Sequence, residues 1–114
     1  MDDDTYLVTA GDTVAEGPGQ GTDTIISSVS FVLPVNVEIL SLEGTDDIDG
    51  TGNGLANTIS GNSGANMLLG GGGDDLLQGG GGNDTLSGEG GTDTLQGGAG
   101  DDTYYTSATD SILE

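Results

Sequence analysis

The chain has 114 residues, with twenty Asp and Glu and no Lys, Arg or His, so its formal charge is −20. It has no cationic side chain to neutralise phosphates, which excludes nucleic acids and anionic membrane surfaces as partners. It also lacks cysteine, so it has no disulfides and no thiolate metal sites, and the absence of His removes imidazole sites as well. Only the hard oxygen ligands that suit Ca2+ or Mg2+ remain.

Residues 1–51 are predicted to form a β-rich segment. β-branched and apolar residues are concentrated in four short runs, and turn residues separate the runs. The runs span residues 6–8, 24–26, 29–33 and 37–42. The opening Met1-Asp2-Asp3-Asp4 lacks the features of a cleavable secretion signal, and no run approaches about 18 apolar residues. We therefore expect neither such a signal nor membrane insertion.

Residues 52–105 consist of six consecutive nonapeptides. Glycine holds the first place of each nonapeptide, Asp or Asn the sixth, and an apolar residue the eighth. The sixth-place residues are Asn57, Asn66, Asp75, Asp84, Asp93 and Asp102, and the eighth-place residues are Ile59, Leu68, Leu77, Leu86, Leu95 and Tyr104. Three positions that share one period indicate a repeat architecture, and this many glycines disfavour helices. The pattern predicts an all-β coil with the eighth-place residues as its core.

Four of the six nonapeptides fit Gly-Gly-x-Gly-x-Asp-x-apolar-x closely or with one change. In these residues the chain resembles the RTX (repeats-in-toxin) family of calcium-binding nonapeptide repeats. The resemblance implies a right-handed parallel β-roll (a β-solenoid) with calcium ions between stacked glycine-rich turns. Two nonapeptides would form one turn of the coil, with six residues of each in a calcium-binding turn and three in a strand. Residues 1–51 resemble the covering segment between repeat blocks in this family.

Calcium sites are predicted between stacked turns. Stacked turns lie about 4.8 Å apart, so one ion is within reach of oxygens from both. Successive turns alternate sides of the coil, and the acids therefore pair at every second repeat. We expect Asp75 with Asp93 on one side, and Asp84 with Asp102 on the other.

The first two nonapeptides are predicted to make weaker sites. Asn57 pairs with Asp75, and Asn66 with Asp84, so each pair has one carboxylate instead of two. In the fifth nonapeptide Glu89 takes a glycine place, which makes that turn a departure from the pattern. The remaining predicted ligands are fifth-place residues and turn glycines, namely Asp74, Asn83, Asp101, Gly70, Gly72, Gly79, Gly81, Gly88, Gly90 and Gly97.

A longer period joins the two ends of the sequence. Residues 3–16 match residues 101–114 at seven of fourteen positions, at a spacing of 98 residues. The segment 106–114 therefore repeats the chain start. Either the chain was cut from a tandem array, or its two ends are shaped to meet.

Acids outside the nonapeptides are interpreted mainly as a solvated face. This set comprises Asp2, Asp12, Asp23, Asp110 and the glutamates. Asp46, Asp47 and Asp49 are retained as candidate ligands for one irregular calcium ion.

The sequence predicts a calcium-binding structural module of a secreted or cell-surface bacterial protein. Its acids repel one another at low calcium, so we expect disorder there and a rigid β-roll at extracellular calcium. The RTX resemblance implies type I secretion and folding outside the cell. The alternative is a calcium-dependent homo-oligomer, in which rolls stack head to tail into an extracellular filament or array. An enzyme is not predicted, because a chain without His and Cys has no Ser–His, Cys–His or zinc constellation.

Overall fold

The computed structural model describes residues 2–19 and 21–113, and within these ranges it contains strands and turns but no helix. Consequently no helix of the described chain is long and apolar enough to cross a bilayer. Two sequence predictions involve Met1 and Glu114: that the opening residues are not a cleavable secretion signal, and that residues 101–114 repeat residues 3–16. Both positions lie outside the described residues.

Twelve strands of the described chain form two parallel sheets. Their bounds are β1 Thr5–Val8, β2 Thr24–Ser27, β3 Phe31–Val32, β4 Ile39–Leu42, β5 Gly50–Thr51, β6 Thr58–Ser60, β7 Met67–Gly72, β8 Leu76–Gly81, β9 Thr85–Gly90, β10 Thr94–Ala99, β11 Thr103–Tyr105 and β12 Ser111–Leu113. The seven-stranded sheet has the order β1-β2-β4-β6-β8-β10-β12, and the five-stranded sheet has the order β11-β9-β7-β5-β3. From β2 onward the chain alternates between the sheets, so the predicted all-β parallel solenoid is confirmed.

The core is a stack of one apolar side chain from nearly every rung. Neighbouring residues of a strand point to opposite faces, so the central residue of each short strand faces inward. Register places Leu77 between Ile59 and Leu95 in the seven-stranded sheet, and Leu86 beside Leu68 in the five-stranded sheet. All five side chains are fully buried. The predicted core is confirmed, with Tyr104 partly buried against its end.

The N-terminal segment supplies strands to the same two sheets. Ile25 pairs with Leu40, and Leu40 pairs with Ile59, so the apolar stack runs from β2 into the repeats. In the five-stranded sheet Gly50 stands opposite Leu68, where a Cβ would crowd the Leu40 and Ile59 side chains. The sheets therefore continue across residue 51. The division of the chain at 51 and 105 stays a prediction.

Four of the six repeat strands are longer than the three residues expected from the resemblance. Strands β7 to β10 have six residues each, because they continue through the first three places of the following nonapeptide. In the third to sixth nonapeptides the second-place residue has a positive φ, with 101° at Gly71 and 97° at Gly80. Glu89 occupies the equivalent place with φ 71°. A side chain in this left-handed region strains the backbone by about 1–2 kcal/mol.

We expect Glu89→Gly to stabilise the calcium-saturated protein against urea by about 0.5–1 kcal/mol. The substitution removes the strain of about 1–2 kcal/mol and adds roughly 0.5–1 kcal/mol of unfolded-chain entropy. Glu89→Gln is the matched control, since it removes the charge and keeps the strained side chain. A gain of equal size in both variants would show that charge, not backbone strain, is responsible.

Candidate metal centre

The sixth-place residues form a ladder on each side of the coil, at the turns between the two sheets. On one side the Asn57 N–H donates to Asp75 Oδ1 at 2.7 Å, and the Asp75 N–H donates to Asp93 Oδ1 at 2.8 Å. Each bond joins residues 18 positions apart, which is one full turn of the coil. The ladder therefore brings the predicted pair Asp75 and Asp93 together.

The opposite side repeats the arrangement. The Asn66 N–H donates to Asp84 Oδ1 at 2.8 Å, and the Asp84 N–H donates to Asp102 Oδ1 at 2.9 Å. The second predicted pair, Asp84 with Asp102, is thus also stacked. Both pairs have the geometry that the nine-residue period predicts, and their role as metal ligands stays a prediction.

The second carboxylate oxygen of each repeat aspartate has no partner. Oδ2 is buried and makes no hydrogen bond in Asp75, Asp84, Asp93 and Asp102. It lies against the first-place glycine of its own turn, and a Cβ on Gly70 or Gly79 would overlap it. This contact explains why the first place is always glycine.

Burial of an uncompensated carboxylate oxygen is costly unless a positive charge or a donor stands beside it. The chain has no Lys, Arg or His to supply that charge. A hard divalent cation coordinates carboxylate and carbonyl oxygens together. The carbonyls of Gly88 and Gly97 lie close to Gly70 and Gly79, one turn away, and add oxygens of the required type. The residues present therefore fit calcium.

Burial raises the pKa of three ladder carboxyls, those of Asp75, Asp84 and Asp93. Desolvation is the largest cause for Asp75, whose pKa rises to about 6, while the Asn57 N–H lowers it and the Asp93 charge raises it. The pKa values of Asp84 and Asp93 are raised for the same first reason. In the metal-free coil, ionisation of Asp75 therefore lowers the free energy of unfolding as the pH rises from 3.8 to about 6, and the loss is complete above that pH. Acidification below pH 6 favours the metal-free coil. A bound cation acts in the opposite direction, because it needs the ionised form.

The two asparagines of the ladder are satisfied without a metal. Asn57 Oδ1 accepts the Asn53 N–H at 2.8 Å, and its Nδ2 donates to the Val37 and Glu38 carbonyls, both at 3.2 Å. On the opposite side Asn66 Oδ1 accepts the Asn62 N–H, and Asn66 Nδ2 donates to the Ile48 carbonyl and to Asn62 Oδ1. A neutral amide supplies the donor that a carboxylate lacks, so these rungs hold their shape without ionic compensation.

The fifth-place residues join neighbouring turns on the exposed rim. Asp74 Oδ1 accepts the Thr92 N–H, and Asn83 Oδ1 accepts the Asp101 N–H, each at 2.9 Å. All three predicted fifth-place ligands are exposed. The predicted first-place glycines are buried beside the carboxylates; they are Gly70, Gly79, Gly88 and Gly97. The predicted third-place glycines lie further along the strands; they are Gly72, Gly81 and Gly90. Their assignment as ligands stays a prediction.

Asp23 is the functional candidate that sequence reasoning missed. Its interpretation as a solvated acid is wrong, because the residue is fully buried and its Oδ2 has no hydrogen-bond partner. Gly19, Gly21, Asp23 and Ile25 hold the second, fourth, sixth and eighth places of the nonapeptide pattern. That partial match was the available signal, and it lies outside the uninterrupted run of six repeats.

Asp110 also joins the ladder, and its interpretation as a solvated acid is incomplete. Asp110 Oδ1 accepts the Asp93 N–H at 3.0 Å, and the side chain is half-buried. Hydrogen bonding lowers its pKa, with the Ser107 N–H as the largest cause. Asp47 and Asp49, candidate ligands for one irregular calcium ion, each accept a different N–H group of the next turn. Asp47 accepts the Ala65 N–H, and Asp49 accepts the Met67 N–H.

Comparison with known protein families identifies the same repeat region of the chain. The family model described as the RTX calcium-binding nonapeptide repeat (4 copies) matches residues 51–86, 69–104 and 78–113. No curated protein and no solved structure gives a significant match.

We expect Asp84→Asn to lower the number of bound calcium ions and to raise the calcium midpoint of folding about tenfold, or about 1.4 kcal/mol. The asparagine keeps the acceptor for the Asn66 N–H and removes the ligand charge. Isothermal titration calorimetry counts the ions, and circular dichroism gives the midpoint. Asp2→Asn is the control, because Asp2 is exposed. Equal calcium requirements in the two variants would contradict a ligand role for Asp84.

Proposed function

The chain belongs to the family of RTX calcium-binding nonapeptide repeats, and from that premise we propose that it is a calcium-dependent structural module of a secreted or cell-surface bacterial protein. Its work is to fold and stay rigid where calcium is abundant. The family's roll is a structural calcium-binding unit and not a catalytic fold, so the proposal assigns no reaction to it.

One observation supports the proposal above all others. Buried carboxylate oxygens without partners recur at the sixth place on both sides of the coil, as in Asp75 and Asp84. They do so in a chain with twenty acids and no basic side chain. Each such oxygen opposes folding unless a cation neutralises it, which makes the cation a condition of the coil.

Calcium binding is therefore coupled to folding. An ion that binds the coil and not the unfolded chain stabilises the coil by mass action. Without it, self-repulsion of a −20 chain opposes compaction, and we propose that the repeats are then disordered. Extracellular calcium modules have dissociation constants of about 10⁻⁴–10⁻³ M. We propose an affinity in that range for this chain, so that it stays unfolded at cytosolic calcium and folds after export.

The calcium dependence is tested by circular dichroism. We expect a disordered spectrum in EDTA and a cooperative change to a β spectrum as calcium rises into the millimolar range. Magnesium at equal concentration is the control for simple charge screening, because its small octahedral shell suits this ligand set poorly. A β spectrum that is the same in EDTA and calcium would contradict the proposal.

Self-assembly is a second candidate function, and the sheet edges favour it. Strands β1 and β12 are the two edges of the same parallel sheet. Both carry exposed apolar side chains, with Leu7 75% exposed and Leu113 51% exposed. Because every strand of the sheet has the same direction, β1 of one copy has the direction needed to extend the sheet beyond β12 of another.

We expect sedimentation velocity in saturating calcium to show concentration-dependent growth of the wild-type particle. Ile112→Glu places a charge on the β12 edge and should keep the protein monomeric while its circular dichroism is unchanged. Met67→Glu is the matched control, since Met67 is exposed on the interior strand β7 and not at an edge. A wild-type protein that stays monomeric at all concentrations would exclude assembly.

A further inference from the structure

Three acids converge in the N-terminal segment, outside the six nonapeptides. Asp4, Glu16 and Asp23 each place one carboxylate oxygen within 4.8 Å of the other two. In the part of the chain that the structure describes, residues 2–19 and 21–113, this is the single group of three such acids. Asp4 directly precedes β1, Glu16 lies in the loop between β1 and β2, and Asp23 directly precedes β2. The fold, and not proximity in the sequence, therefore brings them together.

The buried member of the group lacks a partner. Asp23 is fully buried, and its Oδ2 makes no hydrogen bond. Its other oxygen, Oδ1, accepts the Asp4 N–H at 2.9 Å. The Asp23 N–H donates to Glu38 Oε2 at 2.9 Å, so its backbone is fixed from the next rung. The carboxylate is thus held in place with one oxygen left uncompensated.

Glu16 is held against the group from two directions. The Tyr6 hydroxyl donates a hydrogen bond to Glu16 Oε1. The Glu16 carbonyl accepts a hydrogen bond from Asn36 Nδ2 at 3.0 Å. Both contacts hold the half-buried Glu16 beside the other two acids.

The three oxygens are close enough to bind one hard cation together. Ca2+ binds oxygens at 2.3–2.6 Å, so any two ligands of one ion lie no more than about 5.2 Å apart, and the group is within that limit. Three carboxylates this close repel one another strongly, and the chain has no basic side chain to relieve them. We propose that Asp4, Glu16 and Asp23 form an additional calcium site, which fastens the loop before β2 to the first rungs of the coil.

This site differs from those of the repeats in its construction. In the nonapeptides the ligand acids come from equivalent places of stacked turns, whereas Glu16 comes from a loop that folds back along the coil. One ion at this position joins residues 4, 16 and 23 and so restrains the first β-strand and its following loop together. It thereby stabilises the N-terminal end of the coil.

Counting ions tests the site. Native mass spectrometry in calcium gives the stoichiometry of the full chain, and we expect Glu16→Gln and Asp23→Asn each to bind one ion fewer than the wild type. Glu16→Gln keeps the acceptor for the Tyr6 hydroxyl, and as a half-buried loop residue it is the safer variant if Asp23→Asn fails to fold. Asp2→Asn, an exposed neighbour, should leave the count unchanged.

Terbium gives a second readout, because Tb3+ takes calcium sites and emits when a nearby tyrosine is excited. Glu16→Gln should lose the part of the emission that Tyr6→Phe also removes, while emission sensitised by Tyr104 beside Asp102 and the calcium-induced β spectrum of the repeats persist. An unchanged ion count and unchanged terbium emission in Glu16→Gln would overturn the additional site alone. A wild-type chain that binds no ion would overturn the proposed function as well, so the two failures are distinguishable.

Discussion

The structure depends on buried carboxylate oxygens that no side chain of the protein compensates. In an ordinary domain a buried acid meets a basic residue or several donors. Here Asp75 and Asp84 each use one oxygen to hold the previous turn and leave the other bare. The same carboxylate is thus a structural acceptor with one oxygen free to coordinate a cation. For that reason we propose that folding and ion binding are one equilibrium in this protein.

Each place in the nonapeptide serves this arrangement in a different way. The eighth-place side chains, such as Leu77, are buried and lie in register with those of the neighbouring turns. The first-place glycines, such as Gly70, leave the room that the unpartnered oxygen occupies. In the third to sixth nonapeptides the second-place residue has a positive φ, and Glu89 shows that this conformation forms even with a side chain there. A period of nine therefore satisfies packing, space and backbone geometry together.

Much of the repeat region was predictable from sequence, because its period is unbroken. The core positions and the stacking of Asp75 with Asp93 follow directly from counting in nines. The N-terminal half was harder, since its rungs are spaced irregularly: 19 residues separate Asp4 from Asp23, and 15 separate Asp23 from Glu38. Irregular loops hide the equivalence of rungs in the sequence but not in the hydrogen-bond ladder. The burial of Asp23 depends on that tertiary stacking, which local pattern does not encode.

The ladder also gives the coil a polarity. Every sixth-place bond runs in one direction, from the N–H of an earlier turn to the carboxylate of a later one, as in Asp75 to Asp93 and Asp93 to Asp110. At the sixth place each turn is therefore completed by its successor, whereas at the fifth place the later turn donates to the earlier one, as in Thr92 to Asp74. Removal of a C-terminal turn takes sixth-place acceptors from the turn before it, and removal of an N-terminal turn takes fifth-place and carbonyl acceptors from the turn after it. The two ends of the coil are thus chemically different, and truncation at each end exposes a different set of backbone groups.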